Sequence, residues 1–331
     1  MRKRIPKILI TGGAGFIGSA LVRLLVKKGK FPLVVDSLSY AGDLKRLEEV
    51  KGKFKFYKTD IRDKNGIESI FKKEKPEIIL HFAAESHVDR SINDATVFIE
   101  TNIKGTQILI DASRKYKIKK FIFISTDEVY GEITDGKFSE NSPIKPNSPY
   151  AASKAAADLL VQAYIRTHKF PAIIIRPSNN YGPWQYPEKL IPLAILRILE
   201  GKKIPVYGCG QNVREWLYVD DCVRGILKIM NNGKIGQIYN LGSACESKNI
   251  DTVKQLLKTL GANQNGFKFV KDRLGHDLRY CLNSGKITRE FDWKPQVKLG
   301  PGLRLTVDWS LSNHAWLKSK LKDINKLYAN G

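Results

Sequence analysis

Five side chains able to move protons fall close together: Thr126, Asp127, Glu128, Tyr150 and Lys154. The first three belong to Ser125-Thr126-Asp127-Glu128-Val129-Tyr130-Gly131, which sets a hydroxyl beside two adjacent carboxyl groups. Tyr150 and Lys154 open a helical pattern from Pro149 to His168, and their spacing puts both on one helix face. A phenol ionises near pH ~10 when unperturbed, and a neighbouring ammonium favours the phenolate. Tyr-x-x-x-Lys is therefore expected to supply a base near neutral pH, with Lys154 pulling the Tyr150 pKa down. The spacing arises by chance in many helices. Its weight comes from the elements around it.

Lys120-Phe121-Ile122-Phe123-Ile124 is an apolar run that reads as a buried parallel strand. It puts the hydroxyl and carboxyls at a strand's carboxyl end, where open α/β sheets bind ligands. Lys7 to Thr11 reads as the first strand, followed by Gly12-Gly13-Ala14-Gly15-Phe16-Ile17-Gly18 and a helical pattern from Ser19 to Lys28. Gly13, Gly15 and Gly18 satisfy G-x-G-x-x-G in the strand–turn–helix setting that seats a pyrophosphate on a helix N-terminus. Leu33-Val34-Val35 then ends in Asp36. A carboxylate there accepts bonds from ribose hydroxyls and repels a 2′-phosphate, which favours NAD over NADP as cofactor.

The alternation continues. Phe54 to Tyr57 reads as a strand with Asp60 and Ile61 beyond it. Ile78 to Phe82 is the next, followed by Ala83 and Ala84, small enough for close backbone approach. Ala95 to Tyr116 reads as one long helix and Ala172 to Arg176 as another strand. Strands separated by helices imply an α/β fold, a Rossmann-type doubly wound parallel sheet. After Pro177 the pattern changes to turn formers (Ser178 to Pro183) and polar groups among aromatics (Trp184 to Ile191). Ile204–Tyr207 and Ile238–Leu241 read as strands, Ile250–Leu260 and Gly302–Leu317 as helices. Residues 1–180 are expected to form the NAD-binding domain, with 215–245 returning to it. Residues 181–214 and 246–331 are expected to form a smaller C-terminal substrate-binding lobe.

Composition narrows the function classes. The 331 residues contain no apolar run of membrane-spanning length, so no membrane association is expected. Met1-Arg2-Lys3-Arg4 is basic, but no secretory apolar region follows. Cys209, Cys222, Cys245 and Cys281 are scattered, which fits reduced thiols in a cytoplasmic protein. Neither they nor the histidines show metal-ligand spacing, so no metal is expected. The net charge of +23 comes from dispersed lysines such as Lys51-Gly52-Lys53-Phe54-Lys55. This reads as a solvated surface; with no recognition motif, it gives no ground for a nucleic-acid partner.

Thr11 to Ser19, Ala83 to Ser91, Ser125 to Gly131, Tyr150 with Lys154, Arg176 to Pro192 and Gly210 to Asp221 together resemble the extended short-chain dehydrogenase/reductases. Within them the chain resembles the dTDP-glucose 4,6-dehydratases, most specifically at Thr126-Asp127-Glu128. The resemblance implies NAD-dependent oxidation of a nucleotide-diphosphate sugar at C4, loss of water across C5 and C6, and reduction at C6. It gives Tyr150 the C4 hydroxyl proton, Lys154 the phenolate and nicotinamide ribose, and Thr126 the sugar oxygen. Glu128 becomes the C5 base and Asp127 the acid at the C6 oxygen. It implies cofactor contacts from Gly12, Gly15, Phe16, Ile17, Gly18, Asp36, Asp60, Ile61, Ala83, Ala84, Thr101, Tyr150, Lys154 and Asn180. Substrate contacts would come from Ser86, Thr126, Asn179, Lys189, Arg214, Asn249, Arg273 and Tyr280, and a homodimer from helices 95–116 and 149–168.

Two departures stand out: Leu274 replaces the family's usual proline in Arg273-Leu274-Gly275-His276-Asp277, and the segment between Gly131 and Tyr150 is short. Both bear on nucleotide preference. A UDP- or CDP-sugar dehydratase and an NDP-sugar 4-epimerase of the same fold remain as alternatives, the epimerase disfavoured by Asp127-Glu128. A silent NAD-sensing regulator is disfavoured by the retained Thr126, Tyr150 and Lys154. Trp184 and Trp216 are expected to pack rather than to bind ligands.

Overall fold

The computed structural model describes residues 6–329, and side chains as far as Leu321; the basic Met1–Arg4 stretch lies outside the described residues. Short apolar runs become strands: β1 (Ile8–Thr11), β2 (Leu33–Asp36), β3 (Lys55–Lys58), β4 (Ile78–His81), β5 (Lys120–Ile124), β6 (Ala172–Pro177), β7 (Asn179–Tyr181), β8 (Ile204–Tyr207), β9 (Val213–Tyr218), β10 (Ile238–Leu241), β11 (Glu246–Lys248) and β12 (Phe267–Val270). Seven of them form one sheet in the order β10-β6-β5-β4-β1-β2-β3. Every neighbouring pair in it is parallel. The order reverses between β1 and β4, which opens a crevice at the carboxyl ends of these strands.

Both faces of this sheet are buried, which is why its strands carry apolar residues at successive positions. Ile10, Val34, Leu80, Ile122 and Ile173 point into one core with Leu21 and Ile226. Leu9, Val35, Ile79, Phe121, Phe123 and Ile174 point into the other with Leu109 and Val161. Each fully buried side chain of this kind contributes roughly 1.5–3 kcal/mol. The two cores hold helices Phe16–Lys27 and Val219–Asn232 on one face, and Thr106–Lys115 and Pro149–His168 on the other.

A second group of elements has its own core. β11, β9 and β7 form a three-stranded sheet and β12 pairs with β8. Tyr181, Ile191, Trp216, Leu256 and Leu303 pack among them. The chain rejoins the large sheet through helix Val219–Asn232 and β10.

Three elements differ from the sequence reading. The expected helix over 95–116 is interrupted: Ile99–Gly105 is a π-helical turn between Thr96–Phe98 and Thr106–Lys115. A Cβ on Gly105 would meet Ile61 Cδ1 at 2.6 Å, so the turn lies directly against the segment after β3. Thr106 Oγ1 also donates to the Asn102 carbonyl at 2.5 Å, a side chain inserted into the helical ladder. The turn carries Asn102 inward. Its amide accepts from Glu85 N (2.9 Å) and donates to Glu85 O (3.0 Å) and Ser153 Oγ (2.8 Å), joining the loop after β4 to helix Pro149–His168.

The expected helix over 302–317 is two, Leu299–Ser312 and His314–Ala329. Asn313 Nδ2 donates back to the Trp309 carbonyl between them, competing with the helical ladder. Lastly, Leu190–Leu199 is a helix where the sequence showed no amphipathic pattern.

His81, at the end of β4, is buried between Thr11 Oγ1 (2.8 Å) and Thr106 Oγ1 (2.9 Å). Burial, with the Lys154 charge adding to it, brings its pKa down to about 3. An unfolded histidine takes its proton near pH ~6.5. Between these values the unfolded chain binds the extra proton, so stability present above pH ~6.5 is lost as pH falls toward about 3. Denaturant midpoints measured from pH 7 down to 4 should therefore fall less steeply for His81→Gln than for the parent. Identical slopes would remove His81 as a source of acid lability.

Candidate active site

β5 ends at Ile124, and the chain turns at once into a 3₁₀ turn, Asp127–Tyr130. Thr126 caps it: its Oγ1 accepts from Glu128 N (3.3 Å) and donates to Asp127 Oδ1 (3.1 Å). Asp127 is 1% exposed, and its Oδ2 has no protein partner. Burial, then the charges of Glu128 and Glu215, hold the Asp127 carboxyl well above the usual carboxylate range. Glu128 is half-buried; burial raises it too, but Lys189, Arg214 and Arg273 pull it back. Both carboxyls are shifted upward, Asp127 further than Glu128, because like charges add to burial at Asp127 while cations oppose it at Glu128.

Helix Pro149–His168 presents the other pair. Ser148 Oγ accepts from Ala151 N (3.1 Å), and Pro149 starts the helix. Tyr150 N donates to Ser91 Oγ at 3.0 Å. Lys154 is buried; its Nζ donates to the Ile124 carbonyl at 2.6 Å and lies 4.5 Å from the Phe123 ring centroid. Burial brings its pKa down to about 8, against the pull of Asp158.

The Tyr150 phenol departs from expectation. Its pKa is raised, by burial first and by the charge of Glu128 next, against a hydrogen bond with Thr126. The ammonium meant to lower it is committed to the Ile124 carbonyl, at the end of the strand that leads to Thr126.

The glycine-rich turn lies across the crevice. Gly12 adopts φ +68°, and a Cβ there would meet Ala83 N at 2.6 Å, so the turn packs directly on the backbone after β4. Helix Phe16–Lys27 starts from Gly15 with no side-chain cap and no acidic residue in its first turn, which leaves the Phe16, Ile17 and Gly18 amides without intrahelical partners, the condition that suits an anion. Asp36 is buried and holds the turn's shape, Oδ2 accepting from Ala14 N and Oδ1 from Leu38 N, each at 2.9 Å. Each oxygen keeps a further lone pair. Asp60 is engaged by Arg62 (2.8 Å), Ile61 is buried, and Ala84 and Thr101 are half-buried.

Around the strand ends, Ser125 Oγ, Ser178 Oγ, Asn179 Oδ1 and Asn180 Oδ1 are buried without protein partners. A glycine cradle, an uncapped helix start and this row of orphaned polar atoms fit a dinucleotide.

Beyond Glu128 the cations converge from separate segments. Lys189 Nζ donates to the Ser86 carbonyl (2.8 Å). Arg214 donates to the Asp277 carbonyl (2.9 Å) and lies 4.3 Å from the Tyr280 ring. Arg273 pairs with Asp89 at 2.5 Å. Tyr280 OH donates to Asp277 Oδ2 (2.5 Å), and Asn249 Oδ1 is buried and unpartnered at the start of helix Asn249–Thr259. Leu274, at the departure from the family pattern, is 72% exposed and so supplies no packing to the site. Trp184 packs on Trp309 and Trp316 (4.8 and 5.1 Å), and Trp216 on Tyr181 (6.0 Å). Ser91, Asn102, Glu215 and Arg176 were not singled out in the sequence, because each acts through a partner distant along the chain.

A family model described as GDP-mannose 4,6 dehydratase matches residues 9–306. The chain belongs to that family. Within the family, a dTDP-glucose 4,6-dehydratase of Neisseria meningitidis is 44% identical, over 97% of this chain and 98% of its own length. The dTDP-glucose 4,6-dehydratase of Streptomyces venezuelae, solved with NAD bound, superposes with a TM-score of 0.93 at 45% identity, covering 95% of this chain and 99% of that one. A UDP-glucose 4-epimerase of Thermotoga maritima superposes at 0.87 with 32% identity, over 93% and 99% of the two chains. Among the described residues no helix is long and apolar enough to cross a membrane.

The carboxyl environments can be checked without any substrate. Infrared spectra at pH 7 should contain a protonated-carboxyl band that disappears in Asp127→Asn and persists in Glu128→Gln. Loss of the band in Glu128→Gln alone would reverse the assignment of the proton.

Proposed function

We infer that the protein converts dTDP-glucose to dTDP-4-keto-6-deoxyglucose, as an NAD-dependent hydro-lyase of deoxysugar biosynthesis. The observation that carries this reading is the buried Asp127 beside the cation-flanked Glu128, on a turn whose cap, Thr126, also bonds Tyr150. Relatives called dTDP-glucose 4,6-dehydratases match nearly the whole chain at about 45% identity. NAD fits the glycine cradle, with Gly12, Gly15, Phe16, Ile17, Gly18 and Asp36 at its adenosine half and Ala83, Ala84, Thr101, Asn180 and Lys154 further along. When bound, it supplies the acceptor for the hydrogen leaving C4 and the donor for the hydrogen arriving at C6.

The chain's own groups handle the protons. Tyr150 takes the C4 hydroxyl proton, and a deprotonated phenol needs a cation close by, because the raised pKa of the free site opposes ionisation. Lys154, brought down to about 8, carries that charge near neutral pH. Thr126 orients the sugar oxygen. A 4-keto group acidifies C5, Glu128 removes the C5 proton, and Asp127 gives its proton to the C6 oxygen, which departs as water. Arg214, Arg273 and Lys189 suit a diphosphate, since guanidinium forks bind oxygens in pairs. Ser86 and Asn179 from the NAD-binding part, with Asn249 and Tyr280 from a lobe formed by 181–214 and 246–331, complete the sugar-nucleotide side. The four cysteines are all unpaired, which supports a cytoplasmic setting. Exposed Ile99 and Leu159 on adjacent helices support a homodimer.

The test separates oxidation from elimination. With dTDP-glucose, Glu128→Gln should still form the 4-ketone, read as absorbance of reduced nicotinamide, while product formation and C5 solvent exchange drop ~10²–10⁴-fold. Tyr150→Phe should lose both steps. Parental product formation and C5 exchange in Glu128→Gln would overturn the roles of Glu128 and Asp127. A parent active only on UDP- or CDP-glucose would move the nucleotide preference and leave the chemistry.

A further inference from the structure

Tyr150, Lys154 and Asp158 recur along one face of helix Pro149–His168. Asp158 is fully buried, and Arg176 takes both of its oxygens, Nε to Oδ2 at 2.9 Å and Nη2 to Oδ1 at 2.8 Å. Gln162 adds a third bond to Oδ1 (2.7 Å). The remaining Arg176 nitrogen leaves the pair: Nη1 donates to the Tyr130 hydroxyl at 2.8 Å. Tyr130 is the last residue of the turn that begins at Asp127. Its hydroxyl donates onward to Asn240 Oδ1 (2.8 Å), and Asn240 stands opposite Arg176 in the β10–β6 register. Asn240 Nδ2 in turn donates to the Phe138 carbonyl (2.9 Å).

A buried ion pair alone is weak ground for a role, since apolar residues of similar volume often do as well. Here the pair does not end in itself. One planar guanidinium, fixed on a central strand, reaches the helix with two nitrogens and the turn with the third. A lysine could not make both connections. Among the described residues the Arg176 guanidinium bonds only Asp158 and Tyr130, and Asp158 reaches Lys154 through its charge alone, so the role is one of placement.

We propose that Arg176 is a positioning residue that locks the Tyr150–Lys154 helix and the Asp127–Glu128 turn together, so that both sets of groups address the same sugar. This rests on the dehydratase reading above. The link predicts a division of labour: weakening its turn side should harm elimination, and weakening its helix side should harm oxidation.

Arg176→Met would strand Asp158 as an unpaired buried charge and is expected to unfold the chain; Asp158→Asn keeps an oxygen for the guanidinium but leaves its charge uncompensated, so its rates are read only on folded protein, and Tyr130→Phe, which strands no charge, carries the test first. Tyr130→Phe removes only the hydroxyl; its elimination step should slow ~10–100-fold while C4 oxidation stays within about two-fold of the parent. Asp158→Asn should show the opposite bias. Hydrogen exchange without substrate supplies a second readout. Asp158→Asn should speed exchange of amides 126–131, and Tyr130→Phe that of amides 150–158, with the rest of the sheet unchanged. Equal slowing of both steps by Tyr130→Phe would overturn the link. So would exchange that rises throughout the chain, or only in the element substituted. If the parent makes neither ketone nor product from dTDP-, UDP- or CDP-glucose, the dehydratase reading fails, and the reciprocal exchange still decides the link.

Discussion

Two carboxyl groups on consecutive residues repel each other, and burial makes it harder for both to hold their charges. The region around the end of β5 is arranged to decide which one does. Glu128 has three cations, Lys189, Arg214 and Arg273, drawn from the loop before helix Leu190–Leu199, from β9 and from the loop after β12. Asp127 has the carboxylate of Glu215 behind it, itself held by the Ala244 (2.6 Å) and Leu282 (2.8 Å) amides. The proton's residence is thus a tertiary property. It depends on segments spread over nearly half the chain, and each cation is held in turn by a carbonyl or carboxylate of its own.

The scaffold beneath meets a different demand, that of fixing loops that carry unsatisfied backbone groups. The loop after β4 is pinned by Asn102 through both the N–H and the C=O of Glu85. The same asparagine bonds Ser153, one turn from Tyr150. Ser91, on the short helix following that loop, receives the Tyr150 amide. The end of β5, the Tyr150 helix and the loop after β4 are therefore joined by short, buried, fully paired contacts, the condition under which polar networks rigidify rather than destabilise.

What the sequence made legible was local. The main-sheet strands are apolar runs bounded by turn formers, and helix Pro149–His168 carries its own start signal in Ser148-Pro149. The glycine-rich turn and the Thr126-Asp127-Glu128 cluster could be placed from strand positions alone. Features set by contact between distant segments stayed hidden. The π turn has Gly105 lying close against Ile61, far off in sequence, and helix Leu190–Leu199 is apolar apart from the single charge of Arg197. The direction of the Tyr150 shift turned on where the Lys154 ammonium points. Helix spacing places the two residues on one side, but the carbonyl of Ile124 belongs to another element. Arg176 read as the end of a strand, with nothing nearby in sequence to reveal Asp158 or Tyr130 as partners.

The close superposition on a 4-epimerase shows how little backbone separates the two chemistries. Oxidation at C4 calls for a hydroxyl, a phenol and an ammonium, and in the function proposed above Thr126, Tyr150 and Lys154 would supply them from the end of β5 and one helix. Elimination calls for a base and an acid on neighbouring carbons, and consecutive residues on a tight turn can offer both at the spacing of a sugar's C5 and C6. The turn alone is not sufficient, because two coupled carboxyls in identical surroundings share a proton without fixing which of them carries it. The second chemistry therefore draws on the lobe as well as the turn: without Lys189, Arg214 and Arg273, the upward shift that burial gives Glu128 would be larger. In the proposed function the residues that would recognise the diphosphate are the same cations that oppose burial at Glu128, which would couple substrate recognition to elimination.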